Sequence, residues 1–313
     1  MTEAFSLAGR RVWVAGHRGM VGSAVVRRLA SEQCEVVTVG RSEVDLRRQD
    51  QVERWMDATR PDVVVLAAAT VGGIHANMTR PADFIYDNLV IETNIIHAAH
   101  KSGVAKLLAL GSSCIYPREA PQPMAEDMLL TGPLEPTNEW YAVAKIAAIK
   151  LCQAYREQYG SDFISAMPTN LYGPGDNYHP TDSHAVAALI RKTHLAKAAS
   201  ASTVEVWGTG KPVREFLFVD ALADALVFLL KTYSGAGHVN VGTGIGHSIR
   251  ELAEAVVKTI GFAGDFAFDP AKPDGMKVKI MDVSRLNVMG WKATTTLEDG
   301  LAKAYAWYLK NAA

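Results

Sequence analysis

Cysteine is scarce in this chain. Cys34, Cys114 and Cys152 are the only three among 313 residues, an odd set with no metal-type spacing. A disulfide framework and a cysteine-built zinc site are therefore not expected, and the pattern suits free thiols in a reducing cytoplasm. Long apolar runs are missing too. No stretch approaches a membrane span, and the opening MTEAFSLAGRR has no secretory apolar core, so neither a membrane anchor nor export is expected. Excess charge is also lacking: 32 Lys and Arg against 33 Asp and Glu leave a net charge near −1. That argues against an electrostatic binder of nucleic acid or membranes, and an anionic ligand would need a local basic pocket. Internal repeats and low-complexity tracts are absent. What remains, 49% hydrophobic and 21% charged, is an ordinary globular composition with enough chain for one large or two modest domains.

The first half alternates between two patterns. Short runs of Val, Leu and Ala without polar alternation (11–15, 35–39, 63–66, 106–110 and 163–167) read as strands buried on both faces. Between them, helical patterns cover 20–31, 49–59, 81–102 and 138–159. This alternation predicts a doubly wound Rossmann-type α/β fold with a parallel sheet and ligands at the carboxyl ends of its strands. Past about residue 170 the texture changes: NLYGPGDNYHPTDSH is a glycine- and proline-marked loop, and later elements are shorter. We expect a nucleotide-binding domain over 1–170, with a strand returning to it near 239–246. A smaller C-terminal α/β substrate domain would then be built from 171–238 and 247–313.

The first strand, RVWVA, runs into Gly16, Gly19 and Gly22 at GxxGxxG spacing and then into an apolar helical pattern. Strand, glycine turn and helix form a dinucleotide cradle: the glycines let backbone approach a pyrophosphate lying at the helix N-terminus. NAD sites usually end the second strand with an acid for the ribose hydroxyls. Here that strand ends Val39-Gly40-Arg41, with no acid at its tip. Arg41, with Arg18 in the glycine loop, suits a 2′-phosphate, so NADP(H) is favoured. Glu43 and Asp45 follow closely enough to leave a ribose-binding acid open.

In EWYAVAKIAAIKL, Tyr141 and Lys145 are four apart, on one face of the predicted helix. Most such pairs are solvated or half-buried. In a dinucleotide-binding fold, however, a lysine that lowers the phenol's pKa makes a proton donor for a carbonyl oxygen. The fourth strand ends LLALGSSCIYP, placing Ser112, Ser113 and Cys114 where an open α/β sheet presents chemistry. If the strand continues, Ser112 and Cys114 point the same way.

With the glycine loop and the Tyr-Lys pair, these residues resemble the extended short-chain dehydrogenase/reductase family over nearly the whole chain. Ser112, Tyr141 and Lys145 match its triad. The resemblance implies that Tyr141 protonates the nascent alkoxide, Lys145 binds the nicotinamide ribose and lowers the tyrosine pKa, and Ser112 orients the carbonyl. The strings AGHRGMVGSA, VGGIHAN, PADFIYDN, GSSCIYP, LEPTNEWYAVAKIAAIKLC, MPTNLYGPGDN and NVGTG narrow it further. They resemble the branch that makes GDP-L-fucose from GDP-4-keto-6-deoxy-D-mannose by 3,5-epimerisation and NADPH-dependent reduction at C4. Epimerisation needs a base on one face and an acid on the other, and Cys114 and His184 match those positions. Residue composition alone does not choose His184 over His179.

The resemblance also implies cofactor contacts at Gly16, Arg18, Gly19, Met20, Val21, Gly22, Arg41, Lys145, Pro168, Leu171 and His184. It implies GDP-sugar contacts at Lys192, Trp207, Arg214 and Asp274. Lys192 departs from the arginine often found there, which loses bidentate pairing with phosphate. The chain is also short near residues 233–238. A 4-epimerase or 4,6-dehydratase of the same superfamily is the nearest alternative, but a dehydratase carries Thr and Glu near the strand-end serine, where this chain has Ser112-Ser113-Cys114. A non-catalytic cofactor-binding protein is a further alternative, and the presence of both Tyr141 and Lys145 opposes it. In relatives, helices matching 81–102 and 138–159 pair across a two-fold axis, so a homodimer is expected.

Overall fold

The computed structural model describes residues 5–180, 182–271 and 274–313. In chain order its elements are β1 (Arg11–Ala15), α1 (Met20–Leu29), β2 (Glu35–Val37), α2 (Gln49–Thr59), β3 (Val63–Leu66), α3 (Ile74–Thr79), α4 (Pro81–Lys101), β4 (Lys106–Leu110), α5 (Glu139–Tyr159), β5 (Phe163–Pro168) and β6 (Asn170–Tyr172). They continue with α6 (Ala185–Ala198), β7 (Thr203–Trp207), β8 (Val213–Phe218), α7 (Val219–Thr232), β9 (Val239–Val241), β10 (Gly246–Ser248), α8 (Ile249–Ile260), β11 (Asp265–Asp269), β12 (Val278–Lys279), α9 (Ser284–Val288) and α10 (Leu297–Asn311).

A six-stranded parallel sheet in the order β2-β1-β3-β4-β5-β9 forms the centre. Every residue of β3 and β4 is buried, as their unbroken apolar runs require. One face carries α2, α4 and α5 over a core that includes Trp13, Val64, Ile95, Ile96 and Leu107. The other carries α1 and α7 over Val12, Val14, Leu108, Leu226 and Leu230. The chain reverses its winding between β1 and β3, which opens the crevice where such sheets take ligands. β2 ends at Val37, short of residue 39, and α1 ends at Leu29, short of residue 31. β9 lies beside β5, the strand return expected near residue 239.

The remaining strands form two small sheets. β8 pairs with β6, β10 and β12, and β11 pairs with β7. The helices α6, α8 and α10 bury Ile190, Leu252, Val256 and Leu301 around them. α7 lies within the 171–238 stretch, yet its apolar face joins the core of the main sheet, and Arg27 and Arg28 of α1 pair with its Asp220 and Asp224. β8 ends directly at the start of α7, so the chain crosses to the main sheet earlier than its loop composition suggests.

Glu215 of β8 ties the second unit to the carboxyl ends of β5 and β9. Its fully buried carboxylate accepts from the backbone N–H groups of Thr243, Gly244 and Met281, at 2.5, 2.9 and 2.8 Å. Its own carbonyl accepts from Thr169 and Asn170. Glu215→Ala leaves several buried donors unpaired, at about 1–3 kcal/mol each. We expect a stability loss of about 3 kcal/mol or more in denaturant unfolding.

Candidate active site

Gly16 leaves β1 with φ 89°, and a Cβ there would lie 2.7 Å from the Ala68 backbone. A Cβ on Gly22 would stand 2.1 Å from the Gly16 carbonyl oxygen. Both positions therefore exclude side chains, and the turn is as tight as a pyrophosphate cradle needs. Gly19 caps α1 with no side-chain hydrogen bond, so the N-cap residue leaves open the first N–H groups of the helix, which begins at Met20 and Val21. These groups point where a phosphate would sit.

The Arg18 guanidinium lies over Gly40, 3.1 Å from where a Cβ would stand, one residue before Arg41 in the chain. Of the two nearby acids, Asp45 is taken by Arg47 through bonds of 3.0 and 2.7 Å, which lower its pKa to about 2. With Asp45 so occupied and Glu43 exposed, the two arginines fit a 2′-phosphate. Arg41→Ala is expected to raise the NADPH KM about tenfold or more and to leave the NADH KM nearly unchanged, read from initial rates with each cofactor.

The chemistry gathers at the carboxyl end of β4. After Leu110 the chain does not continue as strand: Ser112 caps a 3-10 turn, Ser113–Ile115, with its Oγ accepting from Cys114 N at 3.5 Å. The strand-continuation route to a shared orientation is therefore wrong. The turn still brings Cys114 to the site, with its thiol on the Ser112 hydroxyl and near enough to Tyr141 that its thiolate raises the phenol's pKa. Burial raises the Cys114 pKa, and the ammonium groups of Lys279 and Lys145 pull it down.

Tyr141 and Lys145 project from α5 as their spacing requires, with Lys145 Nζ 5.6 Å from the Tyr141 ring centroid. Lys145 is 3% exposed and donates to Glu92 Oε1 at 2.7 Å and to the Leu110 carbonyl at 3.0 Å. The expectation of a lowered tyrosine pKa is not met. Burial pushes the Tyr141 phenol up to about 12, and the opposing pull of Lys145 is weakened by the negative charge of Glu92. The phenol is thus held in the protonated form that a proton donor requires.

His184 is the N-cap residue of α6, in a loop packed on Gly73 ahead of α3. It keeps solvent-accessible surface, yet the protein around it is dense enough to lower its pKa, as for a side chain lining an open cleft. Lys279 adds to that lowering. Pro168 closes β5 and Leu171 lies in β6, at the carboxyl edge of the main sheet.

The four GDP-sugar candidates fall into two adjacent pairs. Lys192 Nζ sits 5.1 Å from the centroid of Trp207, which is 52% exposed. Arg214 donates to the backbone carbonyls of Val213 and Asp274, and the Asp274 carboxylate accepts from Thr209 N and Oγ1. Arg214 and Lys279 are register partners on β8 and β12, so both side chains leave the same face of that sheet. Lys279 acts on Cys114 and Arg214 acts on Lys279, so the second unit brings positive charge toward the Cys114 side of the site.

Residues 12–242 match the NAD dependent epimerase/dehydratase family. The chain belongs to that family. It is 57% identical to a GDP-L-fucose synthase of Sinorhizobium fredii over 309 residues, covering 99% of this chain and 98% of the relative. It is 52% identical to the GDP-L-fucose synthase of Escherichia coli over 315 residues, covering 97% and 98%. Among solved structures, a GDP-L-fucose synthetase from Naegleria fowleri bound to NADP superimposes with a TM-score of 0.91 at 27% identity, covering 99% and 98%.

Within this family fold, two side chains at the site escaped the sequence reading. Glu92 sits on α4 among Ile91, Ile95 and Ile96, and only its 53-residue-distant ion pair with Lys145 reveals it. Lys279 stands in the charged stretch KPDGMKVK, which reads as a solvated loop. Its only signal was alternation within a two-residue strand. Among the described residues, no group of three or more His, Cys, Asp or Glu side chains forms a metal site, and no helix is long and apolar enough to cross a membrane.

Proposed function

We propose that the chain converts GDP-4-keto-6-deoxy-D-mannose to GDP-L-fucose, inverting C3 and C5 and then reducing the C4 ketone with NADPH. One observation supports this reading beyond a generic reductase: a buried thiol, Cys114, lies close to Ser112, Tyr141 and Lys145. A simple ketone reductase has no use for that base.

Hydrogens on C3 and C5 both flank the C4 ketone, so removing either one places negative charge on the C4 oxygen. The hydroxyls of Ser112 and Tyr141 are the donors for that oxyanion. Cys114, as thiolate, takes the proton on one face, and His184 returns one on the other. The resting pair is a neutral thiol and a neutral imidazole, one proton transfer from the working ion pair, and Lys279 favours the thiolate. NADPH, when bound, supplies the hydride for C4. Tyr141 then gives its proton to the C4 oxygen, so the donors that stabilise the enolate also serve reduction. Arg214 and Lys192 take the diphosphate, with Trp207 and Asp274 completing the nucleotide-sugar site.

The site needs no nucleic acid or membrane partner, and the sparse cysteines, among the described residues all free, fit a cytoplasmic protein. We further propose a homodimer through α4 and α5, whose outer surface exposes Tyr86, Trp140 and Val143. A monomeric mass in solution removes that assembly. The function itself is tested by incubating the purified protein with NADPH and GDP-4-keto-6-deoxy-D-mannose and identifying the product by nuclear magnetic resonance. GDP-L-fucose is expected. An unepimerised GDP-6-deoxyhexose would remove the epimerase half of the proposal.

A further inference from the structure

Glu92 is 2% exposed, with one carboxylate oxygen on Lys145 Nζ and the other buried without a hydrogen-bond partner among the described residues. Burying a carboxylate is costly, and leaving half of it unpaired costs more. An aliphatic residue would fill this space on a helix face already lined by Ile91, Ile95 and Ile96. Glu92 therefore calls for an explanation other than packing.

Lys145 supplies one. An ammonium has three N–H donors. One goes to Glu92 Oε1 at 2.7 Å and a second to the Leu110 carbonyl at 3.0 Å, at the end of the strand that delivers Ser112. Among the described residues these two acceptors leave the third N–H for another partner, and the Tyr141 ring centroid lies 5.6 Å from Nζ. We propose that Glu92 is a positioning residue for the reduction: it holds Lys145 ionised inside the protein and fixes the direction of its remaining donor. This deepens the epimerase-reductase reading and rests on it.

The charge balance at the site follows from that role. Lys145 and Glu92 are together neutral, so Tyr141 faces the near end of a dipole rather than an isolated cation. Tyr141 and Cys114 are the other titratable groups that act on Lys145, and Cys152 on α5 feels Glu92. Burial raises the Glu92 pKa, and the Lys145 ammonium at 2.7 Å opposes that rise. As the carboxylate partner of that contact, Glu92 strengthens proton binding at both Lys145 and Tyr141. Removing it weakens both, and both must be protonated for reduction.

The test follows Lys145 itself, by nuclear magnetic resonance of nitrogen-15-labelled lysine side chains from about pH 6 to about pH 10, assigned with Lys145→Arg. The wild-type ammonium is expected to stay charged throughout. Glu92→Gln is expected to bring the Lys145 midpoint into this range and to move the high-pH limb of reduction acidward by about tenfold or more in proton activity. Glu92→Asp keeps the charge and should retain the wild-type titration with a lower kcat. A lysine that stays charged in Glu92→Gln overturns the proposal. So does one that loses its proton within the range in the wild type, an arm that needs no variant to fold. The lysine titration requires no sugar, so a wild-type protein that fails to reduce the GDP-keto sugar sinks the functional reading separately.

Discussion

Tyr141→Phe is expected to lower the rate of NADPH oxidation by about 10²–10⁴ while leaving solvent-deuterium exchange at C3 and C5 within about tenfold of wild type. The phenol is the only proton source assigned to the C4 oxygen during reduction, and phenylalanine fills its place beside Phe84, whose ring centroid is 6.3 Å away. Exchange survives because Ser112 still donates to the enolate oxygen and Cys114 remains. The two rates are read separately, by cofactor absorbance and by nuclear magnetic resonance of the sugar in deuterated water. Equal loss of both would mean that Tyr141 serves the enolate as much as the alkoxide, and the division of roles would fail.

Cys114→Ala produces the opposite pattern. Exchange at C3 and C5 should fall by about 10² or more, and Cys114→Ser should turn the protein into a reductase that delivers unepimerised GDP-6-deoxyhexose. The pH dependence has a definite sign. Burial raises the Cys114 pKa above the ordinary thiol value, so thiolate is scarce at neutral pH, and wild-type exchange should climb as pH rises. Reduction, which needs Tyr141 protonated, should not climb with it. If Cys114→Ala epimerises normally, the base is another residue.

The parts of the fold legible in the sequence are those fixed by local pattern. RVWVA, VVVL and KLLAL are short runs without polar alternation, the pattern of a strand buried on both faces, and β1, β3 and β4 occupy them in full. Gly16 and Gly22 were legible because no other residue tolerates their backbone environment. Helical periodicity put Tyr141 and Lys145 on one face, and the glycine loop with the family resemblance made them a catalytic pair. What local pattern misses is anything set by a partner distant in sequence. Lys145 does pull the Tyr141 pKa down, but the net direction was misjudged because desolvation belongs to the folded state and outweighs that pull, with Cys114 and the Glu92 hidden on another helix adding to the rise. Cys114 reaches the site through a 3-10 turn that its strand-like neighbours, Ile115 and Tyr116, do not announce. α7 was assigned by its position in the chain, whereas its apolar face and the Arg27 and Arg28 ion pairs place it against α1. Lys279 was overlooked because a lysine-rich loop normally faces water.

The central claim is that one site both epimerises and reduces. It is tested most directly by running the wild-type reaction to completion in deuterated water with unlabelled NADPH and locating deuterium in the GDP-sugar product. The account predicts GDP-L-fucose with deuterium at C3 and C5 and ordinary hydrogen at C4, where the hydride arrives. A reduced product with ordinary hydrogen at both C3 and C5 would contradict it, because no proton would have left those carbons before C4 was reduced.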